Sequence, residues 1–178
     1  KYFLVSVHRE ENLEFNFDKF VTLLLDLRTT FKDTKVIVST HPRTRNLLNN
    51  AGWSNEIGEK KLDIHLLPPF SFKDYLELQK GARAVLSDSG TISEEASILG
   101  LKAINLRETH ERPEASEEMP VIMTGMDFHR VVQALNMFEA TKVNARQVDD
   151  YNHVNVSEKV ARILLSYTDY VNRNVWRK

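Results

Sequence analysis

The stretch "VLSDSGTISEEASILG", residues 85–100, decides the reading of this chain. An apolar run (Ala84, Val85, Leu86) gives way at once to Ser-Asp-Ser-Gly-Thr, and a short helical pattern with two adjacent glutamates follows, closed by Gly100. A strand that turns directly into a helix is the basic step of an α/β fold. Small hydroxyls, a glycine and carboxylates in that turn suit a ligand better than a plain connection. Ser89, Gly90 and Thr91 precede the helix, whose N-terminus offers free N–H groups and a positive dipole end, the arrangement that holds phosphate. Gly90 permits close backbone approach. The competing reading is a cap, because Thr91-x-x-Glu94 fits a capping box. Glu95 lies beside the buried face formed by Ile92, Ala96 and Leu99. A carboxylate there can accept hydrogen bonds from sugar hydroxyls, as in dinucleotide folds, or simply compensate the helix dipole.

Outward from this stretch the same alternation recurs. Strands are expected over 2–7, 35–40, 63–69, 83–87, 102–107 and 120–125, from short runs rich in β-branched and other apolar residues. Helices are expected over 15–31, 43–52, 73–82, 91–99 and 127–140, from apolar residues at helical spacing. A last amphipathic segment, 156–177, carries Val160, Ile163, Leu164 and Tyr167, then Tyr170, Val171 and Trp176. The fold class is therefore α/β, a parallel sheet with helices on both faces. Its expected organisation is one domain over 1–178 with a helical arm at about 156–178.

In such sheets ligands sit beyond the carboxyl ends of the strands. The strand ends here carry "HREEN" (8–12), "HPRTR" (41–45), "DSGTISEE" (88–95) and "ETHERPE" (108–114). Arg112 precedes Pro113, which biases it to an extended conformation from which a guanidinium can hold a phosphate; the plainer reading is an ion pair with Glu111 or Glu114. His8 follows a buried strand beside Arg9. That cation would lower its pKa, and a bound diphosphate would raise it. His41 has a similar place, its loop pinned by Pro42. Neither the His8/His41 spacing nor His110 with Glu111 matches a zinc motif. GxGxxG and GxxxxGK[ST] are absent, which argues against NAD and an ATP P-loop, and GxSxG is absent, which argues against a serine nucleophile; no metal or cofactor is expected.

The bulk numbers agree. The 178 residues suffice for a domain with a real core, and 42% hydrophobic with 28% charged residues is ordinary globular composition. Twenty-four basic against 25 acidic residues argue against bulk attraction to nucleic acid or to an acidic membrane. There is no cysteine, which excludes disulfides and thiolate metal sites and is compatible with a reducing cytoplasm. No run approaches the roughly 20 apolar residues that span a bilayer. The chain starts without Met, directly in a strand, and reads as a fragment of a longer protein.

Taken together and in order, "VSVHREEN", "STHPRTR", "SDSGTISEEAS" and "RETHERPE" resemble the non-hydrolysing UDP-N-acetylglucosamine 2-epimerases. The likeness covers most of the chain and weakens after about residue 140. "SGTISEEAS", "HERPE" and the closing "NVSEKVARILLSYTDYVNRNVW" are most similar to the branch that makes UDP-N-acetyl-L-fucosamine for capsule or O-antigen. The resemblance implies one half of a two-domain glycosyltransferase-B-type fold, the C-terminal, UDP-binding, Rossmann-like half. It implies a cytoplasmic enzyme, a homodimer at full length, whose partners are UDP, a UDP-N-acetyl sugar and its own N-terminal domain. The reaction it implies is anti elimination of UDP to a 2-acetamidoglycal, followed by re-addition after reprotonation at C2. The carboxylates that handle that proton belong to the N-terminal domain.

By position, Ser89 and Gly90 match the diphosphate-binding turn, Glu95 the ribose-binding carboxylate, Arg112 the phosphate-binding arginine, and His8 the histidine near the β-phosphate and leaving oxygen. Tyr75 matches the ring stacked on uracil, and Phe70 the position whose backbone reads the base edge; core packing is the plainer role for both. Arg9 and His41 match positions that bind a second, activating UDP-sugar in some bacterial members. Two departures stand out: Thr91 replaces a second glycine, and "YNHVNVS" (151–157) replaces a Gly-rich turn. A glycosyltransferase domain, a non-catalytic α/β binding module and a hydrolysing epimerase remain alternatives at this point.

Overall fold

A computed structural model describes residues 1–53, 63–109, 112, 114–118, 120–141 and 147–178. The chain forms two compact units, Lys1–Val148 and Asp149–Lys178.

Among the described residues the first unit holds six strands: β1 (Tyr2–Ser6), β2 (Lys35–Ser39), β3 (Ile64–Leu67), β4 (Ala84–Ser87), β5 (Ala103–Asn105) and β6 (Val121–Met123). All neighbouring pairs are parallel, and the spatial order is β3-β2-β1-β4-β5-β6. The helices are α1 (Glu10–Glu14), α2 (Phe17–Thr30), α3 (Pro42–Asn50), α4 (Phe72–Gly81), α5 (Ile92–Leu99), α6 (Glu114–Glu118) and α7 (Phe128–Ala140). This is a Rossmann-like sheet, as the alternation of strand and helix patterns predicts.

Strand residues alternate between the two faces, and both faces are covered. Phe3, Val5, Val36, Val38, Ala84, Leu86 and Ile104 join one cluster with Phe20, Leu23, Leu24 and Leu27 of α2 and Val131, Leu135 and Phe138 of α7. Leu4 and Val85 point the other way and are equally buried, with α4 against β1 and α5 against β5. Central strands buried on both sides must be apolar throughout, which is why they read as runs rather than alternations.

Element ends follow local chemistry. Gly100 adopts a left-handed conformation (φ 68°) and closes α5, its N–H donating to the Ala96 carbonyl. Gly81 ends α4 where a Cβ would meet the Tyr2 hydroxyl at 2.6 Å; that hydroxyl donates to the Leu78 carbonyl. At the amino end of the sheet the Arg83 guanidinium stacks over Phe3 and Phe31 and pairs with Glu139.

In the second unit a 3-10 turn (Asp149–Tyr151) precedes α8 (Val156–Asn174), so the divergent 151–157 stretch forms the approach to this helix. No residue of α8 is buried. Among the described residues, no helix is long and apolar enough to cross a membrane.

Candidate functional site

β1 and β4 are adjacent and in register from Phe3↔Ala84 to Ser6↔Ser87. From β1 the chain moves outward through β2 and β3, then returns to build β4, β5 and β6 on the other side. The connections leaving β1 and β4 therefore diverge and open a crevice at the carboxyl edge, the switch point of an open α/β sheet. A cleft of about 390 Å³ lies there, lined by His8, Phe70, Tyr75, Ser89 and Glu95, with Ser6, Ser39 and Ser87 from the strand ends and Pro69 and Phe72 beside Phe70. Five of the residues selected from sequence thus meet in one cavity.

One residue that organises the cleft was not anticipated. Asp88 is fully buried directly after β4. Its carboxylate accepts the backbone N–H groups of His8 (3.2 Å) and Arg9 (2.9 Å) and the side-chain amide of Asn12 (3.1 Å), and its carbonyl accepts Arg9 Nε (3.0 Å). A buried carboxylate is tolerable only with such donors. Asp88 thereby ties the loop after β1 to the loop after β4. His8 Nδ1 lies 3.2 Å from Asp88 Oδ1. A carboxylate can only accept, so Nδ1 carries the hydrogen and Nε2 is left to serve the half-exposed cleft side of the ring.

The turn into α5 corrects the capping-box expectation. Thr91 takes the N-cap position but in a helical conformation (φ −83°, ψ −4°), and its side chain makes no cap bond. An N-cap hydroxyl reaches N2 or N3 from an extended backbone. From this one it donates instead to Glu95 Oε1 at 2.5 Å. Glu94, the expected capping partner, pairs with Arg112 Nε at 2.6 Å. Ser89 supplies what cap there is: its Oγ accepts the Thr91 N–H at 3.3 Å and bonds the Thr91 hydroxyl at 2.9 Å. Gly90 lies in the turn between them, half-buried. The other Glu95 oxygen accepts from Gln79 Nε2 on α4.

Phe70 follows the two prolines that end β3, just before Ser71, which caps α4 by accepting the Asp74 N–H. Tyr75 sits one turn into that helix. Burial pushes its phenol up to about 12, against a hydrogen bond with Ser6, and the Glu95 and Asp88 carboxylates push the same way as burial.

Five selected residues do not line the cleft: Gly90 and Thr91, which form the turn beside it, and Arg112, Arg9 and His41. Arg112 is held at Glu94; its neighbours His110, Glu111 and Pro113 lie outside the described residues. Arg9 spends its Nε on the Asp88 carbonyl. His41 is exposed and begins α3, its Nδ1 accepting the Arg43 N–H at 3.4 Å, so it holds its own loop. Among the described residues no cluster of three or more histidine, aspartate or glutamate side chains could hold a metal ion. The assembled groups, a helix start with small hydroxyls, a carboxylate, an imidazole and two aromatic rings, can bind an anion, a hydroxyl-bearing sugar and a flat base together.

The sequence and fold are shared with known proteins. The pattern described as UDP-N-acetylglucosamine 2-epimerase matches residues 1–165. A solved UDP-N-acetylglucosamine 2-epimerase from Rickettsia bellii is 44% identical with a TM-score of 0.78, over 99% of this chain and 47% of that one. The Methanocaldococcus jannaschii UDP-GlcNAc 2-epimerase, solved in complex with UDP-GlcNAc and UDP, is 29% identical with a TM-score of 0.80, over 93% of this chain and 45% of that one. The Methanococcus maripaludis UDP-N-acetylglucosamine 2-epimerase is 34% identical over 76% of this chain and 37% of its own length. The chain thus spans less than half the length of the relatives it matches. With the matched pattern running through nearly the whole sequence, this chain belongs to the UDP-N-acetylglucosamine 2-epimerase family.

Proposed function

We propose that the chain is the UDP-binding half of an enzyme that inverts C2 of a UDP-N-acetylhexosamine by eliminating and re-adding UDP. The single observation that carries this reading is the cleft at the β1/β4 switch point, where His8, Phe70, Tyr75, Ser89 and Glu95 converge. On this reading Ser89, Gly90, Thr91 and the N–H groups opening α5 take the diphosphate. Glu95 accepts the ribose hydroxyls, Tyr75 packs on uracil and the Phe70 backbone reads its edge. Elimination breaks the bond between the anomeric carbon and the β-phosphate oxygen, and the electron pair stays on that oxygen. Charge near the oxygen lowers the barrier. Protonated His8 donates from Nε2, and Arg112 adds its guanidinium by exchanging Glu94 for the diphosphate. Asp88 keeps His8 in the required orientation. Arg9 and His41 are assigned to a second UDP-sugar.

The groups that move the C2 proton belong, on this reading, to an N-terminal domain beyond these 178 residues, and the whole enzyme is a cytoplasmic homodimer. The product is UDP-N-acetyl-L-fucosamine for capsule or O-antigen, on the strength of "SGTISEEAS", "HERPE" and the closing segment from 155 to 176. The chain alone binds UDP and turns nothing over.

Calorimetric titration of the chain with UDP, beside Arg112→Ala and Glu95→Ala, tests the reading. Saturable binding that each substitution weakens about tenfold or more is expected, since each removes a charge-assisted hydrogen bond. A well-folded chain that takes up no UDP would overturn it.

A further inference from the structure

Gln79 has no place in the roles above. It is 1% exposed, on α4, at the position one turn past Tyr75 and Leu76 where an apolar residue would ordinarily sit. Its Nε2 donates to Glu95 Oε2, while its own Oε1 is buried with no hydrogen-bond partner. An orphaned buried carbonyl weakens a fold, so the amide is not there for stability. What it does is hold a carboxylate. With Thr91 on Oε1 and Gln79 on Oε2, Glu95 is gripped from two elements, and the Thr91 hydroxyl passes the contact on to Ser89.

We propose that Gln79 is a positioning residue that fixes the Glu95 carboxylate for a ribose diol and so sets the preference of the site for ribonucleotides over deoxyribonucleotides. The proposal rests on the reading that Glu95 takes the ribose hydroxyls. An ionised carboxylate offers about four lone-pair directions. Gln79 and Thr91 occupy two, one on each oxygen, and leave one on each for the 2′ and 3′ hydroxyls. The rotamer is then set before the ligand arrives, so its ordering does not subtract from binding. A 2′-deoxyribose fills only one of the two remaining positions and leaves the other carboxylate oxygen short of a donor inside the cleft. Without Gln79 the carboxylate is held through Oε1 alone, Oε2 can shift, and the two-hydroxyl match loses its advantage over the one-hydroxyl match.

The test uses the 178-residue chain with UDP and 2′-deoxy-UDP as probes. Affinities come from calorimetry and the melting temperature is measured without ligand. Gln79→Met keeps the volume and removes both the donor and the orphaned acceptor. Its melting temperature should equal or exceed that of the unsubstituted chain. Its affinity for UDP should fall about tenfold, and its preference for UDP over 2′-deoxy-UDP should shrink by about the same factor, the worth of one hydrogen bond to a charged group. Gln79→Leu, read in the same way, covers the case in which the methionine variant folds poorly. If both variants keep the full preference while Glu95→Gln loses it, Gln79 is not the positioning residue, although Glu95 still binds ribose. If the unsubstituted chain binds both probes equally, the ribose role of Glu95 fails and this proposal fails with it.

Discussion

Helices α7 and α8 carry the same apolar spacing with opposite outcomes. In α7 the positions are Val131, Ala134, Leu135 and Phe138; in α8 they are Val160, Ile163, Leu164 and Tyr167. The first four are 0–3% exposed, packed with the sheet and α2, and the second four are 50–61% exposed. Each set holds one aromatic ring and the α8 set is the bulkier of the two, so side-chain size does not explain the difference. Spacing at i, i+3, i+4 and i+7 encodes a face that needs covering, and the covering itself must come from elsewhere in the sequence. For α7 it comes from strands within the same unit. For α8 the described residues bury none of its side chains. Tyr167 and Tyr170 meet edge to face, and Ile163, Leu164, Tyr167 and Trp176 border an open apolar hollow of about 400 Å³.

The sharpest way to break this comparison is truncation on the covered face. Leu135→Ala should lower the unfolding free energy by about 2–5 kcal/mol, read from urea denaturation, because transfer and cavity terms add. A loss no greater than that of a surface substitution would mean the α7 face is not part of the core. A second test concerns the covered side of the cleft and pH. The Tyr75 phenol ionises at about 12 in the folded chain against 10.0 as its ordinary value. Between those values the unfolded chain sheds this proton and the folded one keeps it. Stability should therefore be unaffected by this group below pH 10, fall as pH rises from 10 to 12, and level off above. Tyr75→Phe should flatten that part of the profile, and ultraviolet titration should lose its latest phenolate step. The gentlest test is on the open face. Leu164→Ser with Tyr167→Ser should change unfolding stability by less than about 0.5 kcal/mol. It should also reduce the concentration-dependent self-association that so large an apolar patch favours, measured by sedimentation velocity. A loss of stability like that of Leu135→Ala would show that α8 is covered after all.

The six strands and the long helices were legible in the sequence because each is a run or a repeat long enough to carry a period, and the observed bounds differ from the expected ones by at most three residues. The five-residue helices α1 and α6 were not, since a single turn has no period to detect. The cleft was legible to the extent that it follows from topology: residues after parallel strands gather at one edge whatever their side chains do. Side-chain direction was harder to read. Thr91 and Glu94 have the spacing of a capping box, but the helical backbone at Thr91 turns its hydroxyl to Glu95. Asp88 sits inside the quoted motif and still escaped notice as a site residue, because its burial comes from a crossing of two loops that local sequence does not reveal. Gln79 does leave a signal in the sequence, a polar residue on the stripe marked by Tyr75 and Leu76.

The tie from Asp88 to the His8 loop also has a consequence in time. Its two ends are 80 residues apart in the chain. At a synthesis rate of about 5–20 residues per second, the loop after β1 is made roughly 4–16 seconds before its carboxylate partner. Until β4 arrives, β1 has only β2 beside it, and the His8 and Arg9 amides have water in place of Asp88. A chain cut short before residue 88 therefore carries the histidine without the group that aims it, and the pocket cannot form until β4 and the turn after it have been made.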